Sequence, residues 1–329
     1  MAVNLTPQYH EAEAAYKKAT TAEERLECLR RMWVELPKHK ASEKLQAELK
    51  TKISETKKEV EAERRSPKKG GPSFKIPRQG AGQVLLIGGP NAGKSRILSR
   101  LTRATPEVAP YPFTTREPSA GMMDWEDVRV QLIDTPPITA DYLEGYLANM
   151  IRVADLCVLC VDLADDDGVF AAEAVLNRLG NKTVLIGQVP EDPEDPTIEY
   201  VKTLVAANKM AAEGASERLE ILREMFGERF PYVLLDAESG QGIEELRHAI
   251  YNGLDVIRIY SKRPGKPADL EAPFTVPRGS TVAQFATEVH RDFGEKLKSA
   301  KVWGTGVFDG QSVTRDHILH DKDIVELHM

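Results

Sequence analysis

From about residue 7 to residue 65 the apolar side chains recur at helical spacing, first Leu26, Leu29 and Trp33, then Leu45, Leu49 and Ile53. That stretch carries no glycine, and only Pro7 and Pro37 punctuate it, so the pattern predicts two or three helices broken near Pro37. Residues 66–82, SPKKGGPSFKIPRQGAG, are rich in Pro, Gly and Lys and read as a linker. The period then changes. Strand-like runs start at Val84 (VLLIG), Val128 (VRVQLID), Leu156 (LCVLCVD), Thr183 (TVLIG), Thr203 (TLVAAN) and Tyr232 (YVLLDA), with helical segments between them. Strands alternating with helices predict an α/β domain with a mostly parallel sheet covered on both faces. Residues 190–196, PEDPEDP, form an acidic loop, and residues 261–273 are a second punctuated segment. From Val256 the chain reads strand, loop, strand, helix over residues 282–293, strand, strand. The predicted division is 1–82, 83–255 and 256–329.

A length of 329 residues suits two or three cores better than one. No apolar run approaches the ~18 residues of a spanning helix, and the first residues lack the basic-then-apolar order of a signal peptide. With only Cys28, Cys157 and Cys160, too few for a disulfide framework, the expectation is a cytoplasmic protein without membrane contact. Cys157 and Cys160 are spaced as CxxC but lie in a strand, where an offset of three points the side chains to opposite faces. The net charge is −7, yet residues 38–78 hold 13 Lys/Arg against 6 Glu, a local balance of +7 that leaves −14 elsewhere. This fits a basic arm that touches nucleic-acid phosphates, or a solvated helix face with a basic linker.

The sharpest chemical signal follows the strand at Val84. Gly88-Gly89-Pro90-Asn91-Ala92-Gly93-Lys94-Ser95 satisfies the phosphate-binding loop pattern and opens a helix that begins with Arg96. Glycines let backbone N–H groups turn toward phosphates, and the helix N-terminus adds positive potential. Lys94 would reach the β and γ phosphates and Ser95 would ligate Mg²⁺. The strand at Val128 ends on Asp134, where a carboxylate commonly holds Mg²⁺ through water.

GGPNAGKS resembles the GxPNxGKS form of the Obg/DRG branch of GTPases, DRG denoting the developmentally regulated GTP-binding proteins. Tyr111-Pro112-Phe113-Thr114-Thr115 is similar to that branch's first switch, which implies that Thr115 binds Mg²⁺ and senses the γ phosphate. Asn91 matches an asparagine that helps hold K⁺ in related GTPases, implying potassium as a second ion. The branch's DxxG motif departs here to Asp134-Thr135-Pro136-Pro137, and a proline has no N–H to give the γ phosphate. The lost bond is worth about 1.5–3 kcal/mol. Ile138 is apolar where Ras-like proteins place a water-positioning Gln, as in the Obg branch generally, which implies slow turnover and an activating partner.

The base motifs are similar but altered. Asn208 and Lys209 match the first two residues of NKxD, whereas its aspartate is Ala211. Asp236-Ala237 stands where Ser-Ala is usual, with the Ala237 N–H implied to meet guanine O6. Either Asp236 or Glu213 is a candidate to replace the missing acceptor, against the alternative that both are solvated loop carboxylates.

The last ~70 residues resemble a TGS domain, a ubiquitin-like β-grasp, on the strength of PFTVPRGSTVAQFATEVHRDF, SAKVWGTGVFDGQSV and DHILHDKDIVELHM. His317 and His320 in the last segment read as part of a turn into an edge strand rather than as metal ligands. Residues 37–43 with LQAELKTKI are similar to the DRG helical arm, while the large DRG insertion is absent. The resemblance implies a P-loop GTPase that binds GTP and GDP with Mg²⁺, hydrolyses GTP slowly, and contacts the ribosome or ribosomal RNA. The altered motifs leave open a degenerate nucleotide-binding module and a base-relaxed NTPase.

Overall fold

The computed structural model describes residues 6–19, 22–37, 42–65, 76–102, 118–180 and 182–328. The chain divides into two compact units, one of residues 1–74, 179–184 and 190–200, the other of residues 75–178, 185–189 and 201–329.

The first unit contains α1 (Pro7–Lys18), α2 (Ala22–Glu35) and α3 (Glu43–Arg65). The Thr6 hydroxyl caps α1 by accepting from the Tyr9 N–H at 3.1 Å, with Pro7 in the first helical position. The predicted apolar face is the core: Leu26, Leu29, Trp33, Leu49 and Ile53 are buried together and Leu45 packs at their margin. The acidic loop belongs to this unit. Asp192 lies 2.6 Å from Lys50, and Glu199 pairs with both Lys57, at 3.5 Å, and Arg30. Part of the arm's positive charge is thus matched internally. Lys38, Lys40, Lys68 and Lys69 fall outside the described residues.

The second unit holds most of a seven-stranded sheet of order β2-β3-β1-β4-β6-β5, with β7 beside β6. Its strands are β1 (Gln83–Gly88), β2 (Ser119–Trp125), β3 (Val128–Asp134), β4 (Leu156–Asp162), β5 (Thr183–Ile186), β6 (Glu199–Asn208) and β7 (Tyr232–Leu234). β3, β1, β4, β6 and β7 pair in parallel, whereas β2 runs antiparallel to β3. Every residue of β1 and β4 is buried, as parallel strands covered on both faces require. The covering helices are α4 (Lys94–Leu101), α5 (Gly145–Val153), α6 (Asp166–Leu179), α7 (Ala215–Phe226) and α8 (Ile243–Leu254). β2 was not expected, because SAGMMDW does not alternate. Pairing along its full length with β3, from Ser119↔Asp134 to Trp125↔Val128, makes it a strand.

A second sheet of order β11-β10-β12-β8-β9 ends the chain. It comprises β8 (Val256–Lys262), β9 (Phe274–Pro277), β10 (Ser299–Trp303), β11 (Gln311–Val313) and β12 (Asp323–His328). β12 was expected at an edge. It sits instead between β10, antiparallel, and β8, parallel, so both of its backbone edges are bonded. The helix expected over residues 282–293 is two, α9 (Val282–Val289) and α10 (Arg291–Lys296), because His290 adopts an extended conformation, φ −168°, and its Nδ1 accepts the Asp292 N–H. Thr281 and Gln284 form a reciprocal cap at the start of α9, which presents Phe285 to the core.

A buried guanidinium joins the two sheets. Arg258, on β8 and 4% exposed, grips Asp321 with two hydrogen bonds of 3.1 and 2.7 Å. It also reaches Glu126 at 2.5 Å and Asp127 at 2.9 Å, the two residues that turn β2 into β3. Glu126 occupies the left-handed region at φ 46°, uncommon for its type, and Lys322 reinforces its hold at 3.1 Å. The Arg258 and Lys322 bonds hold Glu126 below the usual carboxylate range; burial pushes Asp127 and Asp321 up, but hydrogen bonds from Tyr260 to Asp127 and from Arg258 to both outweigh it.

Arg258→Met should therefore destabilise the chain at pH 7 by about 2–3 kcal/mol, less than the about 3–5 kcal/mol of a fully buried pair because Glu126 and Asp321 are partly solvated. Carboxylates with depressed folded pKa values contribute stability that is present above their unfolded pKa, about 4, and lost as pH falls through the folded value. The gap between wild type and variant, followed by denaturant titration, should shrink steadily below about pH 4; a constant gap would dismiss the ionic account.

Candidate nucleotide-binding site

The phosphate-loop residues 88–95, Asp134, Asn208, Lys209, Asp236 and Ala237 lie at the carboxyl ends of β1, β3, β6 and β7, the edge at which open α/β sheets bind ligands. Thr115 and the rest of the first switch lie outside the described residues.

β1 feeds a loop that turns back into α4. Asn91 takes a left-handed conformation, φ 58°, which asparagine tolerates better than most residues, and Gly93 another, φ 85°. Gly93 is required sterically as well, since a Cβ there would lie 2.2 Å from Asn208 Nδ2. Ala92 is buried and Pro90 half-buried in the same loop. Lys94 opens α4 and is buried; its ammonium donates to the carbonyls of Gly88 at 3.1 Å and Gly89 at 2.8 Å. Burial lowers its pKa, and the nearby Asp134 and Cys160 oppose that shift. A desolvated ammonium inside a turn of backbone amides is a strong anion site.

The Ser95 hydroxyl donates to Asp134 Oδ2 at 2.5 Å. A hydroxyl and a carboxylate so placed are hard oxygen donors of the kind Mg²⁺ takes, so the residues present fit that ion. Cys157 and Cys160 are buried in β4; burial raises both thiols, that of Cys160 to about 12, which leaves no thiolate at neutral pH.

Beyond Asp134, the Thr135 hydroxyl donates to the Leu86 carbonyl at 2.8 Å. Pro136 and Pro137 have no N–H, and the next amide, that of Ile138, donates to the Gly88 carbonyl at 3.1 Å. The Ile138 side chain is fully buried and offers the site no polar group.

At the other end, the buried side chain of Asn208 ties three segments. Its Nδ2 donates to the Ala92 carbonyl at 3.1 Å, and its Oδ1 accepts from the N–H groups of Lys209 at 2.8 Å and Ala237 at 3.0 Å. Lys209, at φ 66°, extends its ammonium to Asp162 Oδ2 at 2.5 Å. Sequence reasoning passed over Asp162, whose signal was the carboxylate ending the apolar run LCVLCVD. From α4, Arg100 donates to the Ala237 carbonyl at 2.9 Å and Arg96 pairs with Glu238 at 3.0 Å. Asp236 is buried, whereas Ala211 and Glu213 are exposed.

The family of 50S ribosome-binding GTPases matches residues 83–189, and the TGS domain family matches residues 257–329. An uncharacterized GTP-binding protein of Methanocaldococcus jannaschii is 28% identical, with 88% of each chain covered. Developmentally-regulated G-protein 2 of Arabidopsis thaliana is 25% identical over 88% of this chain and 87% of its own. GTPase Obg of Aquifex aeolicus is 33% identical over a shorter span, 53% of this chain and 50% of its own.

Removing the Asn208 side chain would strand a buried carbonyl and two N–H groups. Asn208→Ala should cost about 2–4 kcal/mol in a denaturant titration, given about 1–3 kcal/mol per unsatisfied group and partial relaxation. Amide exchange at Ala237 should accelerate in the variant, and unchanged protection there would show that Asn208 is not the tie.

Proposed function

We propose that this chain, a GTP-binding protein of the developmentally regulated type with a C-terminal TGS domain, binds GTP and GDP on the loop between β1 and α4 and hydrolyses GTP slowly. The observation that carries this reading is Lys94, a buried ammonium whose hydrogen bonds run to the carbonyls of its own loop, at 3.1 and 2.8 Å. In the proposed complex Gly88, Pro90, Asn91, Ala92 and Gly93 surround the phosphates, Lys94 neutralises the β and γ groups, and Arg96 flanks them. Asn208, Lys209, Asp236 and Ala237 surround the base. Ser95 and Asp134, with Thr115, would hold Mg²⁺, which would offset phosphate charge there. Asn91 would favour K⁺ beside it. Water attacks the γ phosphorus in line, the bond to the β–γ bridging oxygen breaks, and orthophosphate leaves; catalysis is by positioning and charge neutralisation. Ile138 contributes no group to orient that water, so an activating partner would raise the rate.

The functional division is 1–82, 83–255 and 256–329, with the arm and the TGS module contacting ribosomal RNA. The matched family's description supports a ribosomal partner, as do the lysines of α3. Among the described residues no helix is long and apolar enough to cross a membrane, and we place the protein in the cytoplasm. A module that binds nucleotide with little turnover is the second reading, favoured by Pro136, Pro137 and the committed Ile138 amide.

Labelled GTP and GDP should bind in Mg²⁺ and K⁺ with affinities within about tenfold of each other, because the γ-phosphate bond of about 1.5–3 kcal/mol is missing. Lys94→Ala should weaken both at least about tenfold. Equal binding by wild type and Lys94→Ala would sink the site assignment. Single-turnover conversion of GTP separates the slow GTPase from the inert module, and failure to co-sediment with ribosomes at low salt under every nucleotide condition would remove the ribosomal partner.

A further inference from the structure

Two loops meet where a base would lie. β6 and β7 run parallel with Ala207 opposite Leu234, so residues 208–211 and 235–237 leave the sheet side by side. The Met210 N–H donates to the Leu235 carbonyl at 3.2 Å, and the Ala237 N–H to Asn208 Oδ1 at 3.0 Å. Between these ties stand Ala211, an exposed methyl, and Asp236, a carboxylate only 7% exposed. Asp236 Oδ1 accepts the Ser239 N–H at 2.7 Å, and the nearby backbone amides of Ala211 and Glu238 also favour the ionised carboxylate. The acid group, on its own loop, thus lies near enough to the Ala211 amide for that amide to help lower its pKa. Those donors, Ser239 foremost, keep it below the usual carboxylate range and so ionised. Glu213, the other carboxylate near this loop, is exposed, and its carbonyl receives Arg218.

We propose that Asp236 is the specificity-determining acceptor of the site, reading the N1–H and 2-amino group of guanine from the loop opposite Ala211. This rests on the nucleotide-binding reading above and names the base. An ionised carboxylate has about four lone-pair positions, so the bond that fixes Asp236, from the Ser239 N–H to Oδ1, leaves capacity for two in-plane donors. Guanine presents those two donors side by side. Adenine presents a bare N1 lone pair there, which a carboxylate repels, and xanthine replaces the 2-amino group with a carbonyl that a carboxylate also repels. The acceptor has changed loops, and the chemistry it supplies has not.

The test is equilibrium binding of labelled GTP, XTP and ATP to the full chain in Mg²⁺, with wild type, Asp236→Asn and Asp236→Ser. Wild type should prefer GTP over both others by at least about tenfold. Asp236→Asn keeps an oxygen for Ser239 and gains an N–H₂ donor, so GTP affinity should fall about 10- to 150-fold and XTP should become the preferred ligand. A role confined to holding the turn would weaken all three nucleotides together and create no preference for XTP. Asp236→Ser, a small polar residue suited to the turn, should leave the three nearly equal, and adding Ala211→Asp should restore the preference for GTP. An unchanged ratio of GTP to XTP in Asp236→Asn, retention of guanine preference by Asp236→Ser, or equal binding of ATP and GTP by wild type would each overturn the assignment. Failure of wild type to bind any of the three would instead bring down the nucleotide-binding reading on which it stands.

Discussion

The candidate site depends on one buried amide. Asn208 ends β6, and its side chain is the place where the phosphate loop, the strand end and the turn after β7 are held at fixed separation. Because Nδ2 sits 2.2 Å from where a Cβ of residue 93 would be, the amide also dictates that position 93 is glycine. The same glycine is needed for its backbone angle. Sequence, local conformation and packing thus make a single demand, the consistency across levels that marks a well-specified element.

Around that tie, the two ends of the phosphate region are built to different standards. Lys94 is buried at an energetic cost that its two carbonyl bonds only partly offset, and such strain is what an incoming polyanion relieves. The segment after Asp134 is the reverse. Thr135 and Ile138 are both anchored to β1 through Leu86 and Gly88, and the two prolines between them contribute no donors. A loop anchored at both ends and unable to donate in the middle has little means of reporting whether a third phosphate is present. Under the proposed assignment, the Lys94 ammonium would favour phosphate binding while the segment after Asp134 would discriminate weakly between two and three phosphates.

The phosphate loop, the parallel strands and the β-grasp pattern were legible because each is a local signal: Gly and Lys at fixed spacing, apolar runs of strand length, alternation before a capped helix. What escaped was non-local. β2 is a strand only because β3 offers it a complete edge, and Gly121, Met122 and Asp124 give no alternation to read. β12 looked like a last, peripheral strand, yet the chain end inserts between β10 and β8, an outcome set by Val325 and the core it joins. His290 breaks a continuous helical pattern through one extended residue that no Gly or Pro announces. The side chain of Asp162 was hidden for a similar reason: its partner, Lys209, is 47 positions away.

Charge is where local reading and assembled structure differ most. The excess of +7 over residues 38–78 suggested an arm free to meet phosphates, but Lys50 and Lys57, together with Arg30 from α2, face Asp192 and Glu199 of the acidic segment. These pairs are partly solvated, and such pairs contribute about 0–1 kcal/mol each, so an arriving polyanion can exchange for them at little cost. Arg258 is the opposite case. Its guanidinium is desolvated and shared among three carboxylates, two of them in the turn between β2 and β3 and one, Asp321, just before β12. Breaking that node would strand charge rather than release it. The C-terminal sheet is therefore fixed to the β2–β3 turn by an interaction that cannot be traded away, while the ion pairs of the arm are cheap to exchange.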